Sequence, residues 1–415
     1  MIRSQHLHRS LRCFCLGAFA VFTADLEGGD DLPFAFEEHG SYGRPTLYEY
    51  RPLVRGFVEA RADRLAGRED TRAALDDLRR EPAAAIFARA HAGSKPSEEQ
   101  ALFRSVLVPL LVRTAEGCGG FDWDDGAFDR AYVELESSLY GEGHAYGAVA
   151  PLVGLSAGAV VDLGDGIRVR AVAGGELAAH WPEATRLAPE GFGCEPDRLC
   201  VLELERSLPR QTADPPDASA ELADAVTALR LAAAGPIAAG PVLFERLDWR
   251  PYGIRPVLPI SATAPAGDPT RLDVFRGRVA AELRERLLLA DEDPDLGEAL
   301  DRWELSLFQA EPFRSEQLRA ALTAALGSGD GLWAGAARAA VLLGEDGRSR
   351  AELLARLRAL GEDPAAVPAA ADAVRRVLVE LLLHGDRRSL IESLDGSLLG
   401  VRPRPESRLA LAAAR

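Results

Sequence analysis

The sequence predicts a predominantly helical α+β fold, with a helical N-terminal segment, an α+β middle lobe and a C-terminal helical bundle. Three observations carry this. Capped and striped helical stretches recur throughout residues 268–400. Period-two alternation with β-branched residues begins only at His144 and stays in the middle of the chain. At 415 residues and 47% hydrophobic, the chain exceeds one ordinary core, so several domains are expected. The predicted divisions are 1–117, 118–262 and 268–400, followed by a frayed tail over 401–415.

The elements follow in order. Residues 13–22 form an apolar run behind Arg3, Arg9 and Arg12, the outline of a secretory leader. No clean small-x-small site precedes Asp25, so an N-terminal amphipathic helix is the expected reading. An irregular aromatic stretch through Phe34, Phe36, Tyr42 and Tyr48 comes next. Helices are expected over 53–65, 71–91 and 97–116. The last opens with a Ser97/Gln100 capping box and should kink at Pro109. Another helix is expected over 125–140, at the front of the middle lobe. Gly164-Asp165-Gly166 marks a hairpin between strands at 159–163 and 167–172. Further strands are expected at 199–204, 242–247 and 257–260. Residues 209–219, with three prolines, read as a loop, and Leu222, Val226 and Leu229 as a helix ending at Gly235-Pro236. The irregular order makes this an α+β lobe and not a βαβ series.

The bundle is predicted from seven helices. The first starts at Asp268-Pro269, an N-cap acid with proline behind it, and carries the stripe Leu272, Phe275, Val279, Leu283, Leu287. The second uses Leu296, Leu300, Trp303 and Leu307. The third follows Ser315 and stops at Gly327. The fourth starts at Asp330, buries Leu332, Trp333, Ala336, Ala340 and Val341, and stops at Gly344. The fifth has a Ser349/Glu352 capping box and ends at Gly361. The sixth starts at Pro368, packs Val374, Val377, Leu378, Leu381 and Leu382, and ends at Gly385. The seventh holds Leu390, Ile391, Leu394 and Leu398. Short Gly/Asp connections make successive helices antiparallel.

The net charge of −16 disfavours DNA, RNA and acidic membranes as general partners, because phosphate contacts need clustered positive charge. Five scattered cysteines fit a reducing cytoplasm better than a disulfide framework. No stretch approaches the ~18 apolar residues of a membrane span.

Several constellations could carry chemistry. Gly154-Leu155-Ser156-Ala157-Gly158 matches the G-x-S-x-G nucleophile elbow, which needs a strand before the serine and a helix after it. A strand and hairpin follow instead, so a serine hydrolase at Ser156 is an alternative and not the main reading. The only downstream histidines are His180 and His384. Asp122, Asp124 and Asp125 lack the alternation of a calcium loop and read as helix caps. Cys13, Cys15, His6 and His8 lack zinc spacing, and Cys194 and Cys200 read as ordinary thiols. Gly327, Gly329, Gly331 and Gly335 follow a helix, unlike a dinucleotide fingerprint. No Walker loop exists, since the lone Lys95 follows Ser94. No cofactor or metal is expected.

Two stretches resemble the ApeA-like HEPN group found among prokaryotic defence proteins. One is Ala228-Leu229-Arg230-Leu231 with Gly235, leading to Gly240-Pro241-Val242-Leu243-Phe244. The other lies in the bundle, at Asp301-Arg302-Trp303-Glu304 and Arg338-Ala339-Ala340-Val341-Leu342-Leu343-Gly344. The resemblance implies a HEPN-like bundle behind an α+β lobe. Active HEPN ribonucleases use arginine, four to six residues, then histidine. The histidine moves protons and the arginine steadies the phosphorane. The expected stretch here, Arg356 to Pro364, has no histidine, and the nearest pair is Arg376 and His384, with seven residues between them. Arg3 and His8 have the spacing but lie at the N-terminus.

The resulting expectation is a cytoplasmic, non-catalytic HEPN-like binding or regulatory protein. Its expected partner is another protein, or a second copy, held through the bundle. A metal-independent ribonuclease using a diverged Arg376/His384 pair is the first alternative.

Overall fold

The computed structural model describes residues 3–39, 47–91, 97–141, 143–172, 176–177, 181, 184–187, 192, 200–209, 216–240, 242–248, 250–256, 269–327 and 329–409. The chain folds as a predominantly helical α+β protein. Its apolar side chains gather into three large cores and one small one.

The first core is helical. Helix α1 (Gln5–Glu27) buries Leu7, Leu11, Phe14, Cys15, Ala18, Phe19 and Phe22. Around it stand α2 (Val54–Arg61), α3 (Glu69–Arg79), α4 (Pro82–His91), α5 (Glu98–Leu102), α6 (Val108–Cys118) and α7 (Asp125–Tyr140). The single helix expected over 71–91 is two, because Pro82 cannot continue the hydrogen-bond ladder of the preceding turn. Pro109 acts in a related way. The five residues before α6, Phe103–Leu107, form a π turn, which absorbs the missing proline N–H without ending the helix. The aromatic stretch expected to be irregular is in part a hairpin, β1 (Phe34–His39) against β2 (Leu47–Pro52). Helix α7, read from sequence as the front of the middle lobe, belongs to this first core through Phe128, Ala131, Tyr132, Leu135 and Leu139.

The middle lobe is a seven-stranded antiparallel sheet. Its strands are β3 (Gly143–Val153), β5 (Val161–Asp162), β6 (Ile167–Ala171), β7 (Cys200–Pro209), β8 (Ala238–Ala239), β9 (Val242–Leu247) and β10 (Arg250–Pro256). The order is β10-β9-β3-β7-β6-β5, with β8 paired to the end of β3. β4 (Leu155–Ala157) stands apart and pairs in parallel with β11 (Thr270–Leu272). The expected strand at 257–260 lies outside the described residues; the edge strand is β10. Alternation sorts the sheet faces. Tyr146, Ala148, Leu202, Leu204, Ile167 and Val169 face helix α8 (Ala218–Ala233). On the opposite face Glu203, only 1% exposed, accepts from Arg168 and Arg170 of the neighbouring β6 and from Arg246 of β9, which lies beyond β3. Arg246 reaches it by lying across Gly147, where any Cβ would fall 2.5 Å from its Nε.

The bundle comprises α9 (Val274–Glu292), α10 (Pro294–Leu307), α11 (Phe313–Leu326), α12 (Gly331–Leu343), α13 (Gly347–Arg358), α14 (Val367–His384) and α15 (Arg387–Leu398). Its first helix starts later than expected. Asp268 lies outside the described residues, β11 occupies 270–272, and the helical turn is capped by Asp273, which accepts from Arg276 N at 2.8 Å. Leu272 therefore belongs to the sheet core and Phe275 is exposed. The capping box of α13 sits one turn earlier, between Asp346 and Ser349. Trp333 is 57% exposed, with the Arg358 guanidinium 5.7 Å from its ring centroid. The tail expected to fray is bonded to the bundle through residue 409.

One helix joins lobe to bundle. α8 sends Leu222, Val226 and Leu229 into the sheet core, and Ala228 and Leu231 into the bundle core. On the same helix Arg230, 3% exposed, donates to the Ile237 carbonyl (2.8 Å) and to Glu304 of α10 (2.9 Å). Thr227 donates to the same carboxylate at 2.6 Å, and the Arg230 guanidinium lies 4.9 Å from the Phe308 ring centroid.

Two outcomes follow from this seam. Glu304→Ala leaves a buried guanidinium uncompensated and is expected to cost about 3 kcal/mol, the lower end for breaking a buried pair, because Glu304 keeps 20% exposure. The measurement is the urea midpoint; a loss below about 0.5 kcal/mol would mean the pair behaves as a surface one. Separately, a fragment spanning 216–409 is expected to melt cooperatively at higher temperature than one spanning 268–409. The shorter piece lacks α8 and exposes the seat of Ala228 and Leu231. Equal melting temperatures by circular dichroism would show that α8 is dispensable to the bundle.

Candidate functional site

The site predicted from sequence, Arg376 and His384, lies on α14. This helix is the most buried of the bundle, with Val374, Val377, Leu378, Val379, Leu381 and Leu382 all in the core. It ends at Gly385, whose φ of 79° supplies the left-handed C-terminal turn that a Cβ would strain. Arg376 is exposed. His384, eight residues on, stands about 12 Å further along the axis and about 80° around it. Within one chain the two side chains therefore do not converge.

The surroundings of His384 are unlike those of a proton carrier open to substrate. Its side chain is 15% exposed, and Nε2 is enclosed with no hydrogen-bond partner, 3.8 Å from Glu380 Oε2. The backbone of Glu406 on the returning C-terminal segment lies beside the imidazole. Burial lowers its pKa below the usual 6.5 and outweighs the pull of Glu380, while Arg408 lowers it further. Glu380 itself is 1% exposed.

Beyond the end of α14 opens a cleft of about 510 Å³. Its walls are the corner from α9 to α10 and the corner from α14 to α15, with Glu292, Asp295, Asp386 and Arg388 exposed around it. Arg387 spans it. Its Nε donates to Asp293 at 2.7 Å, its Nη1 to the Ala324 carbonyl at 3.1 Å, and its Nη2 to Asp295. Burial pushes the Asp293 carboxyl up, but Arg387 and the backbone N–H groups of Leu296 and Asp295 hold it below the usual carboxylate range. Asp293 and Asp386 also cap α10 and α15, so the helix N-termini here are already occupied by carboxylates. Four acids against two arginines leave the cleft acceptor-rich.

The other candidates separate. Ser156 sits on β4, in register with Arg271 of β11, and the chain continues into a hairpin; the helix that an elbow requires after the serine does not follow. Asp124 caps α7 by accepting from Gly126 N and Ala127 N, and Asp125 accepts from Arg12 and Trp123. His6 pairs with Asp77 and His8 with Asp129, on different helices, while Cys15 is buried and Cys13 exposed. His180 and Cys194 lie outside the described residues. Among the described residues, no three His, Cys, Asp or Glu side chains stand in metal-holding geometry, and no helix is long and apolar enough to cross a membrane.

Sequence reading missed Glu380. A lone glutamate in the stripe Val377-Leu378-Val379-Glu380-Leu381-Leu382 was the available signal, since a carboxylate on a core helix must find donors.

The motif residues of the resemblance hold the structure together. Arg230 and Glu304 form the lobe-to-bundle pair, Trp303 is 1% exposed, and Arg338 clamps three elements. Arg338 donates to the Leu326 and Gly327 carbonyls, to Asp330 and to Asp395. No family model, curated protein or solved structure matches the chain.

A pH dependence follows from His384. Its folded pKa lies below the unfolded value, so below about pH 6.5 the unfolded chain binds the extra proton and stability falls on acidification. The loss is complete once the pH is below the folded pKa. His384→Asn is expected to flatten this part of the stability curve, read from urea midpoints between about pH 7 and about pH 5. An unchanged slope in the variant would show that the imidazole is not the group responsible.

Proposed function

We propose that the protein is a non-catalytic binding and regulatory module carrying a HEPN-like bundle. The observation that supports this is the separation of the would-be nuclease pair. Arg376 is exposed, while the free nitrogen of His384 is enclosed against Glu380 and the C-terminal segment. RNA cleavage through a 2′-hydroxyl needs both groups on one phosphate, and here neither the spacing nor the access supports it. The charge balance adds to this, since a chain of net −16 repels a polyanion. A cytoplasmic setting is consistent with the free thiols of Cys13, Cys15, Cys118 and Cys200. The resemblance to ApeA-like HEPN proteins suggests an RNA-linked or defence setting in which the module binds and another component acts.

The full chain, incubated with single-stranded RNA with and without magnesium, is expected to leave the RNA intact. Metal-free cleavage giving 2′,3′-cyclic phosphate ends, lost in both His384→Ala and Arg376→Ala while each still folds, would replace this reading with a diverged ribonuclease acting across two copies.

A further inference from the structure

Glu380 raises a question that the bundle does not answer. Its carboxylate is 1% exposed on a core helix, a costly position for a charge without donors. Among the described residues, every hydrogen bond to it comes from one short segment. Ser407 Oγ donates to Oε1, Arg408 N to Oε2 at 2.8 Å, and Leu409 N to Oε1 at 3.2 Å. The same segment, residues 401–409, meets the bundle at three more points. Arg404 donates to the Gly344 carbonyl at 3.0 Å and the Leu342 carbonyl at 3.2 Å, closing the C-terminal end of α12. The Glu406 backbone lies beside the His384 imidazole. Leu409 packs against the bundle core.

The segment is a strap and not a continuation of α15. Gly400 turns the chain with φ at 72°, and the N–H groups of Val401 and Arg402 both donate to the Gly396 carbonyl. A Cβ at Gly396 would come within 2.9 Å of the Arg402 side chain. The strap then runs without regular secondary structure through Pro403 and Pro405 and enters a helical turn at Arg408 and Leu409. Its contacts are those of a bound peptide: an arginine on helix-terminal carbonyls, a hydroxyl and two N–H groups on a carboxylate, and an apolar side chain beyond them.

Without the strap, this groove keeps one donor on its α12 carbonyls, Arg350 Nε to the Gly344 oxygen at 3.1 Å, and only the His384 imidazole, 3.8 Å away, near the Glu380 carboxylate, so its acceptors outnumber its donors. The acceptors are the Glu380 carboxylate and the last carbonyls of α12, at the negative end of that helix dipole. Such a surface selects a cationic, donor-rich segment. We propose that the groove between the C-terminal end of α12 and the Glu380 face of α14 is a peptide-recognition site, which the strap keeps filled. Its partner is a protein segment bearing arginine, a hydroxyl residue three positions later and an apolar residue two beyond that, the pattern of Arg404, Ser407 and Leu409. Binding in trans displaces the strap, so affinity is set by competition with it. This rests on the binding-module reading and names its surface.

The test uses the full chain with Ser407→Asp, which places a second carboxylate against Glu380 and leaves every groove residue unchanged. Amide exchange at Arg408 and Leu409 is expected to accelerate by about tenfold or more as the strap leaves. A fluorescent peptide of residues 401–409 should then bind this variant about tenfold more tightly than it binds wild type. The peptide carrying Arg404→Ala should bind about tenfold more weakly than the native peptide. If Ser407→Asp does not fold, the full chain with Arg404→Ala loosens the strap without adding charge and serves in its place. Continued protection of the strap amides, or no peptide binding once they exchange freely, would overturn the proposal. So would concentration-dependent dimers of wild type that the peptide cannot dissociate, which would assign the groove to strap exchange between copies. RNA cleavage would remove the non-catalytic reading and leave these peptide measurements unaffected.

Discussion

Helix α8 has to be apolar on two sides, and the rest of the molecule is arranged around that requirement. One side closes the sheet through Leu222, Val226 and Leu229; the other enters the bundle through Ala228 and Leu231. Between them Arg230 must place a charge at 3% exposure, and only Glu304, Thr227 and the Ile237 carbonyl make that tolerable. The pair fixes α10 against α8, and the turn after α8 against β8. The sheet lobe and the bundle are thus two cores sharing one wall.

Arginine does the joining throughout. Arg284 ties α9 to the β5–β6 hairpin through the Leu163 carbonyl and Asp165. Arg338 gathers the end of α11, the start of α12 and the middle of α15. Arg387 bridges the corners of α9–α10 and α14–α15, and Arg404 brings the strap onto α12. Each combines backbone carbonyls or carboxylates in one planar fork, a geometry that a lysine ammonium cannot reproduce. A chain with a single lysine, Lys95, has this device available at almost every basic position.

The cleft beyond α14 and the groove beneath the strap lie at opposite ends of a common logic. Both are acceptor-rich, and both are spanned by an arginine of the chain itself. They differ in what the arginine holds. Arg387 joins elements that are already packed in the core, whereas Arg404 belongs to a segment whose hold on the bundle is a few hydrogen bonds and one leucine. The first ties packed helices to one another, and the second ties on a segment with no helix of the bundle behind it.

Much of the bundle was legible from local rules. Asp330, Gly344 and Gly385 mark helix ends where the structure has them, because where a helix stops is decided largely within its own last turn. Where a second element competes, local rules lose. Residues 270–272 leave the predicted helix to pair with β4, Pro82 divides a periodic stretch, and Trp333 stays outside although its spacing fits the stripe. The candidate site divides in the same way. The chain itself determines that the Arg376–His384 spacing departs from the nuclease pattern, and that Ser156 is followed by a hairpin. Only the tertiary structure decides that Glu380 receives a strap, that Arg230 meets Glu304 from 74 residues away, and that α8 faces two cores. Those contacts depend on burial and on donors brought from distant positions, and neither is written in the periodicity of any one segment.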